Sequence, residues 1–305
     1  MRPYPKLLSR TAFRGTVGAM ESVKRVRANG IDFAYLEQGE GPLVLLLHGF
    51  PDNARTWSHQ MPRLVAAGFR VVAPFLRGYP PTEVPERGYY DLATLASDVN
   101  ALIGALGGPA HVVAQDWGAA ITYGFLAAFP EAVRRAVTMA IPHPRVRPRL
   151  IASPEQIHRS FHWWFFQLKD VPELAIRLND YAFIDYLWRF WSPGLSDADH
   201  IADVKRTLSV PGALEASLAY YRAMLDPTLA DPALASVRSS LDRDITVPTL
   251  TLFGADDLRS EFIEAQRVCF TGPYRAVLVP DTGHFLHREK PAEVTDLVID
   301  WLRSG

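Results

Sequence analysis

The stretch from Ala110 to Ala120, Ala-His-Val-Val-Ala-Gln-Asp-Trp-Gly-Ala-Ala, constrains the fold more than any other part of the chain. Its first half is apolar and rich in β-branched residues, the pattern of a strand buried on both faces. From Ile121 to Phe129 the pattern is helical, and Pro130 stops it. Between the two, Ala114, Gly118 and Ala119 are small. A strand that turns at once into a helix crowds its own backbone, and only small side chains fit around the turn. The residue at the tip, here Asp116, projects above the sheet. An aspartate side chain is already an anion at neutral pH, so it attacks an alkyl carbon without a base and leaves an alkyl ester on the protein. The plainer reading is that Asp116 caps the helix that follows.

The rest of the chain alternates strand and helix on either side of this turn. Val23 to Arg27 and Ile31 to Gln38 flank Ala28-Asn29-Gly30, and Asn-Gly between two alternating runs signals a hairpin. Leu43 to Leu47 is apolar on both faces. The pattern then predicts a helix from Ala54 to Ala67, a strand from Phe69 to Pro74, a helix from the N-cap Asp91 to Leu106 and, after the turn, a strand from Val133 to Ala140. Such alternation implies right-handed crossovers and a mostly parallel sheet with helices on both faces. The alternation breaks at Ile141-Pro142-His143-Pro144. Residues 142–243 show helical periodicity, prolines and many aromatics but no parallel strand, and are expected to form an inserted helical cap over the edge where open α/β sheets bind ligands. The α/β pattern resumes at Ile245 to Phe253 and ends with strand Tyr274–Val279 and a helix from Pro291 to Arg303. The expected division is thus an N-terminal extension at 1–21, a core at 22–141 and 244–305, and a cap at 142–243.

Composition excludes several classes. Net charge is −1 and hydrophobic content 48%, so nothing points to nucleic acid or to a membrane surface. No apolar run is long enough to span a bilayer. Cys269 is the sole cysteine, which rules out an internal disulfide and fits a cytoplasmic setting. Residues 1–20 have no continuous apolar core, so a secretory signal is not expected. Neither a metal nor a cofactor is expected.

An ester on Asp116 must be hydrolysed, which needs a base for water, an acid to orient the base, and donors for the oxyanion. Of nine histidines, His284 follows the strand Tyr274–Val279 in Asp281-Thr282-Gly283-His284, where Gly283 lets the loop approach the tip. His287 beside Arg288 is expected at the surface. The acid should follow the strand ending at Phe253; Gly254-Ala255-Asp256-Asp257 offers two, and the usual Gly-x-x-Asp spacing selects Asp257. The oxyanion donors are expected to be the backbone N–H groups of Phe50, in His48-Gly49-Phe50-Pro51, and of Trp117.

These motifs, over about residues 22 to 304, resemble the epoxide hydrolases of the α/β-hydrolase fold, an Asp-nucleophile branch related to haloalkane and fluoroacetate dehalogenases. The strand–turn–helix is that fold's nucleophile elbow, and the resemblance implies a cis Phe50–Pro51 peptide. Ser217-Leu218-Ala219-Tyr220-Tyr221-Arg222 resembles the late-cap Tyr-Arg motif, which makes Tyr221 the candidate proton donor to the epoxide oxygen. The early-cap run Phe161-His162-Trp163-Trp164-Phe165-Phe166 has no tyrosine, and His162 stands where a smaller bacterial group carries a histidine partner. Trp163 and Phe165, with Phe50 and Trp117, are expected to line the cavity; Trp188 and Phe190 are further candidates. The implied activity is hydrolysis of a small apolar epoxide by water to a vicinal diol, by a monomer or homodimer. Alternatives are a haloalkane dehalogenase with the same Asp-His-Asp machinery and a non-catalytic binding protein of the same fold. Fluoroacetate dehalogenases carry arginines after the nucleophile, where this chain has Trp117 and Ala120.

Overall fold

The computed structural model describes residues 22–85 and 88–304; the expected extension at 1–21 lies outside them. The strands are β1 (Lys24–Ala28), β2 (Ile31–Gln38), β3 (Leu43–Leu47), β4 (Arg70–Pro74), β5 (Ala110–Gln115), β6 (Val133–Met139), β7 (Thr249–Gly254) and β8 (Tyr274–Val279). They form one eight-stranded sheet in the order β1-β2-β4-β3-β5-β6-β7-β8. The hairpin β1–β2 turns through Asn29 and Gly30, both at positive φ, as the tight turn requires. β2 is antiparallel to β4, and every later pairing is parallel. β3 and β5 are buried along their whole length, in register from Val44 opposite His111 to Leu47 opposite Ala114. That shared register brings the loop after β3 and the turn after β5 side by side.

β7 begins at Thr249, later than the expected Ile245. Ile245 makes only an isolated bridge to Phe270, and Pro248 has no N–H to offer a ladder.

Helices α1 (Gln60–Ala66) and α2 (Leu92–Ala105) follow β3 and β4. A 3-10 turn over Ala54–His59 takes the first half of the expected Ala54 helix. Asp91 caps α2 by accepting from the Ala93 N–H. Helix α3 (Trp117–Ala128) follows β5, and a helical block then runs through α4 (Arg147–Ile151), α5 (Pro154–Arg159), α6 (Phe161–Phe165), α7 (Val171–Trp191), α8 (Ala198–Ser209), α9 (Ala213–Leu225) and α10 (Ala235–Arg238). Short α11 (Leu286–Glu289) and α12 (Pro291–Arg303) close the chain.

The block is tied to loops at the C-terminal ends of the strands. The Trp188 indole N–H donates to the Pro51 carbonyl at 3.0 Å and the Tyr220 hydroxyl to the Arg77 carbonyl at 2.7 Å. The His284 N–H donates to the Trp191 carbonyl at 3.0 Å. Aromatic packing continues the contact, with Trp188 stacked on Phe285 at 3.7 Å.

Candidate active site

The site is built on the turn between β5 and α3. α3 begins at Trp117 rather than at Ile121, because strand and helix meet with no intervening loop. Asp116 at the junction has φ 51 and ψ −121, a conformation non-glycine residues seldom adopt. Its N–H still donates to the Met139 carbonyl and its own carbonyl accepts from Ala120, so the ladder and the helix hold it from both sides. A Cβ on Gly118 would collide with the Leu47 and His48 carbonyl oxygens, and one on Gly49 with the Asp116 carboxyl. The carboxylate does not cap α3. It turns to the loop after β3 instead, where its Oδ1 accepts from the Phe50 N–H at 2.8 Å. The Phe50–Pro51 peptide is cis.

His284, carried by the loop after β8, reaches the same point. A side chain at Gly254 would meet the carbonyls of Thr282 and Gly283, and one at Gly283 the Trp191 carbonyl, so glycine lets this loop settle between β7 and α7. The His284 Nδ1 donates to Asp257 Oδ2 at 3.0 Å. Its Nε2 lies 3.4 Å from Asp116 Oδ2, close enough for attraction but without hydrogen-bond geometry. Burial works against a charge on this imidazole, yet Asp116 and Asp257 on either side more than offset it and hold its pKa up at about 9. Asp257 is buried and also accepts from the Arg259 N–H at 2.7 Å, whereas Asp256 is exposed.

Above Asp116 a narrow cleft is lined by Trp117, Tyr221 and Trp163 together with apolar Ile141, Leu150 and Met224. Tyr221 meets Trp117 edge-on at 5.1 Å and Phe50 at 5.5 Å. Burial, the Asp116 charge and a counteracting hydrogen bond from Trp117 leave the Tyr221 phenol well above its usual pKa. His162 lies beside Tyr221, ring centres 5.6 Å apart, and 4.9 Å from Trp191. It is not among the residues lining the cleft, and its Nδ1 is buried without a partner. Burial first, then the Arg259 and His284 charges, push its pKa well down, so the ring is neutral.

Five expected placements need correction. Phe165 does not line the cleft but stacks on Phe183 at 5.7 Å; residues two apart on a helix face opposite ways, so Trp163 and Phe165 cannot both look inward. Phe50 is fully buried against Phe166 and Tyr221 and offers its N–H, not its ring, to the site; Trp188 and Phe190 are likewise absent from the lining. His287 is buried, its Nε2 within 2.8 Å of the Thr56 hydroxyl, because α11 tucks under the 3-10 turn after β3. Sequence reasoning missed Met224 and Arg147 in the cleft. Met224 lies one helical turn beyond Tyr221 and was open to discovery by spacing; Arg147 carries no such signal.

Among the described residues, no group of histidine, cysteine and acidic side chains is placed to hold a metal ion, and no helix is long and apolar enough to cross a membrane. The pattern of the alpha/beta hydrolase family matches residues 44–297. The AB hydrolase superfamily protein YfhM of Bacillus subtilis is 33% identical over 92% of this chain and 97% of its own. Epoxide hydrolase 3 of Xenopus tropicalis is 31% identical over 92% of this chain and 77% of its own. The crystal structure of epoxide hydrolase A from Mycobacterium thermoresistibile superposes with a TM-score of 0.78 at 26% identity, covering 93% of this chain and 98% of that one. The chain therefore belongs to the alpha/beta hydrolase family and is a hydrolase of the group that contains these epoxide hydrolases.

Proposed function

We propose that the protein converts an apolar epoxide to a vicinal diol through an alkyl ester on Asp116. The observation that carries this reading is that Tyr221 and Asp116 line one cleft, a phenol donor over a carboxylate nucleophile. A halide leaves as a stable anion and needs only N–H donors; a strained ether oxygen leaves as a basic alkoxide and needs a proton.

The steps balance. An Asp116 oxygen attacks an oxirane carbon, the C–O bond breaks, and its electron pair goes to the oxygen, which takes the Tyr221 proton. The tyrosinate is then reprotonated from His284, which a pKa of about 9 makes a cation in the free enzyme. Esterification removes the Asp116 charge, so His284 keeps only Asp257 as a counter-charge while its burial is unchanged, and it yields that proton readily. The neutral imidazole then takes a proton from water, whose oxygen adds to the ester carbonyl. The Phe50 N–H, already 2.8 Å from Oδ1, and the Trp117 N–H are the candidate donors to the oxyanion. Collapse releases the diol and restores the Asp116 carboxylate and the His284 cation.

A single turnover of styrene oxide in water labelled with heavy oxygen tests the reading. The first diol should carry an unlabelled oxygen from Asp116. Label in every first-turnover product means direct attack by water. Release of bromide from an alkyl bromide with no diol from any epoxide would favour the dehalogenase instead.

A further inference from the structure

The three consecutive backbone N–H groups of Gly283, His284 and Phe285 are each held from outside their loop. Gly283 donates to both carboxylate oxygens of Glu289, at 3.0 Å each. His284 donates to the Trp191 carbonyl at 3.0 Å. That carbonyl is among the last four of α7, which have no partner within their own helix, so it is free to accept. Phe285 donates to the Ser192 hydroxyl oxygen at 3.0 Å, and that hydroxyl donates in turn to Glu289 Oε1 at 2.7 Å. Ser192, which ends α7, is fully buried. A Cβ on Gly283 would collide with the Trp191 carbonyl oxygen and press on Ser192 Oγ, so glycine is what lets the end of α7 come this close.

An imidazole is aimed by its backbone as well as by its ring partners. The His284 N–H lies in the peptide plane before its Cα and the Phe285 N–H in the plane after it, so bonds to both leave little freedom in the φ and ψ of His284. With Nδ1 bonded to Asp257 at 3.0 Å, Nε2 is then fixed 3.4 Å from Asp116 Oδ2. We propose that Ser192 and Glu289 are positioning residues for His284, and that the end of α7 is thereby part of the mount of the base that hydrolyses the Asp116 ester. The proposal rests on the ester reading above and names the parts that its second half-reaction needs. Ser192 belongs to the helical block and Glu289 to α11, so the base is aligned only when block and sheet are seated together. Attack by Asp116 is independent of that seating, because its turn is held by Met139, Ala120 and the Phe50 N–H.

The test follows the Asp116 ester by intact mass spectrometry through a single turnover of styrene oxide, in the unaltered enzyme and in Ser192→Ala, Glu289→Ala and Glu289→Gln. Ester decay should slow by about tenfold or more in both alanine variants, the weight of one hydrogen bond in a charged network. Ester formation should change little, because the attacking carboxylate needs no base. Glu289→Gln keeps an acceptor oxygen and should retain most of the decay rate. Nuclear magnetic resonance of the His284 ring gives a readout that needs no substrate. Loosened from its place between Asp116 and Asp257, the imidazole should titrate below about 9 in both alanine variants. Glu289→Asp, which keeps the charge but shortens the reach, stands in for any alanine variant that circular dichroism shows to be unfolded. Ester decay at the unaltered rate in both alanine variants, or formation and decay slowed alike, overturns the proposal. A lowered His284 titration in variants of a protein that forms no ester with any epoxide keeps the mount and removes the epoxide reading. Ester formation with decay and titration both untouched does the reverse.

Discussion

His284 and Tyr221 are the residues at which the proposed chemistry is most exposed to test. Replacing His284 by glutamine removes the base but leaves Asp116 free to attack. Intact mass spectrometry after incubation with an epoxide should then show the protein heavier by one substrate molecule; an unmodified variant with full turnover would remove His284 from the mechanism. The same imidazole gives stability a pH dependence. Its pKa is raised on folding from about 6.5 to about 9, so its contribution is present in full below the lower value and is lost as pH climbs through the upper one. Urea midpoints should fall over that interval, and His284→Gln should flatten the fall. Tyr221→Phe removes the phenol while keeping the ring that packs on Trp117 and Phe50. Alkylation by epoxides should slow by about two to four powers of ten, the usual weight of a general acid. Hydrolysis of a preformed ester should change much less. Equal losses in both half-reactions would mean that Tyr221 only shapes the cleft.

Within single elements, the junction of β5 and α3 shows how packing holds a strained backbone. Asp116 keeps φ 51 because Met139 and Ala120 bond its backbone and because Gly118 allows the Leu47 carbonyl to come close. Gly118→Ala places a methyl against that backbone oxygen, which cannot swing away as a side chain would. The expected cost is about 2 kcal/mol or more, seen as a lower urea midpoint, together with a loss of activity larger than stability explains because Asp116 shifts. An alanine variant with unchanged midpoint and rate would show that the turn relaxes freely. The junction was legible from sequence, since crowding at a strand–helix turn leaves a local record of small residues. The start of α3 was not: Asp116 stands at its N-cap position, but its carboxylate turns to the Phe50 N–H instead of capping, and the helix begins at Trp117 directly on the strand.

For the whole molecule, the bond between α8 and the loop after β3 is the polar tie to examine. His200 Nε2 lies 2.7 Å from Asp52 Oδ1, both buried. Burial pushes the Asp52 carboxyl up, but His200, Arg288 and His287 outweigh it and hold its pKa near 2. His200→Ala strands that carboxylate with weaker partners and should cost about 3 kcal/mol in unfolding free energy by urea titration, the usual result of breaking a buried pair. A loss under about 0.5 kcal/mol would place the tie among contacts that hold nothing.

The chain's local patterns carried its strands, the order of its elements, the Asp116 turn and the pairing of His284 with Asp257. Each of these rests on short-range rules: alternation for buried strands, a small residue at a crowded turn, a glycine before a residue that must reach across a loop. Which side of the helical block meets the cleft was a different matter. Trp163 faces in and Phe165 out, His287 is inside, His162 sits beside Tyr221 but off the lining, and Arg147 enters a cleft that no motif announced. Those outcomes follow from how α4, α6, α9 and α11 lie against the sheet. Side-chain direction on a short helix changes by about 100° per residue, so a small rotation of the whole element exchanges lining for core, and only long-range packing sets that rotation.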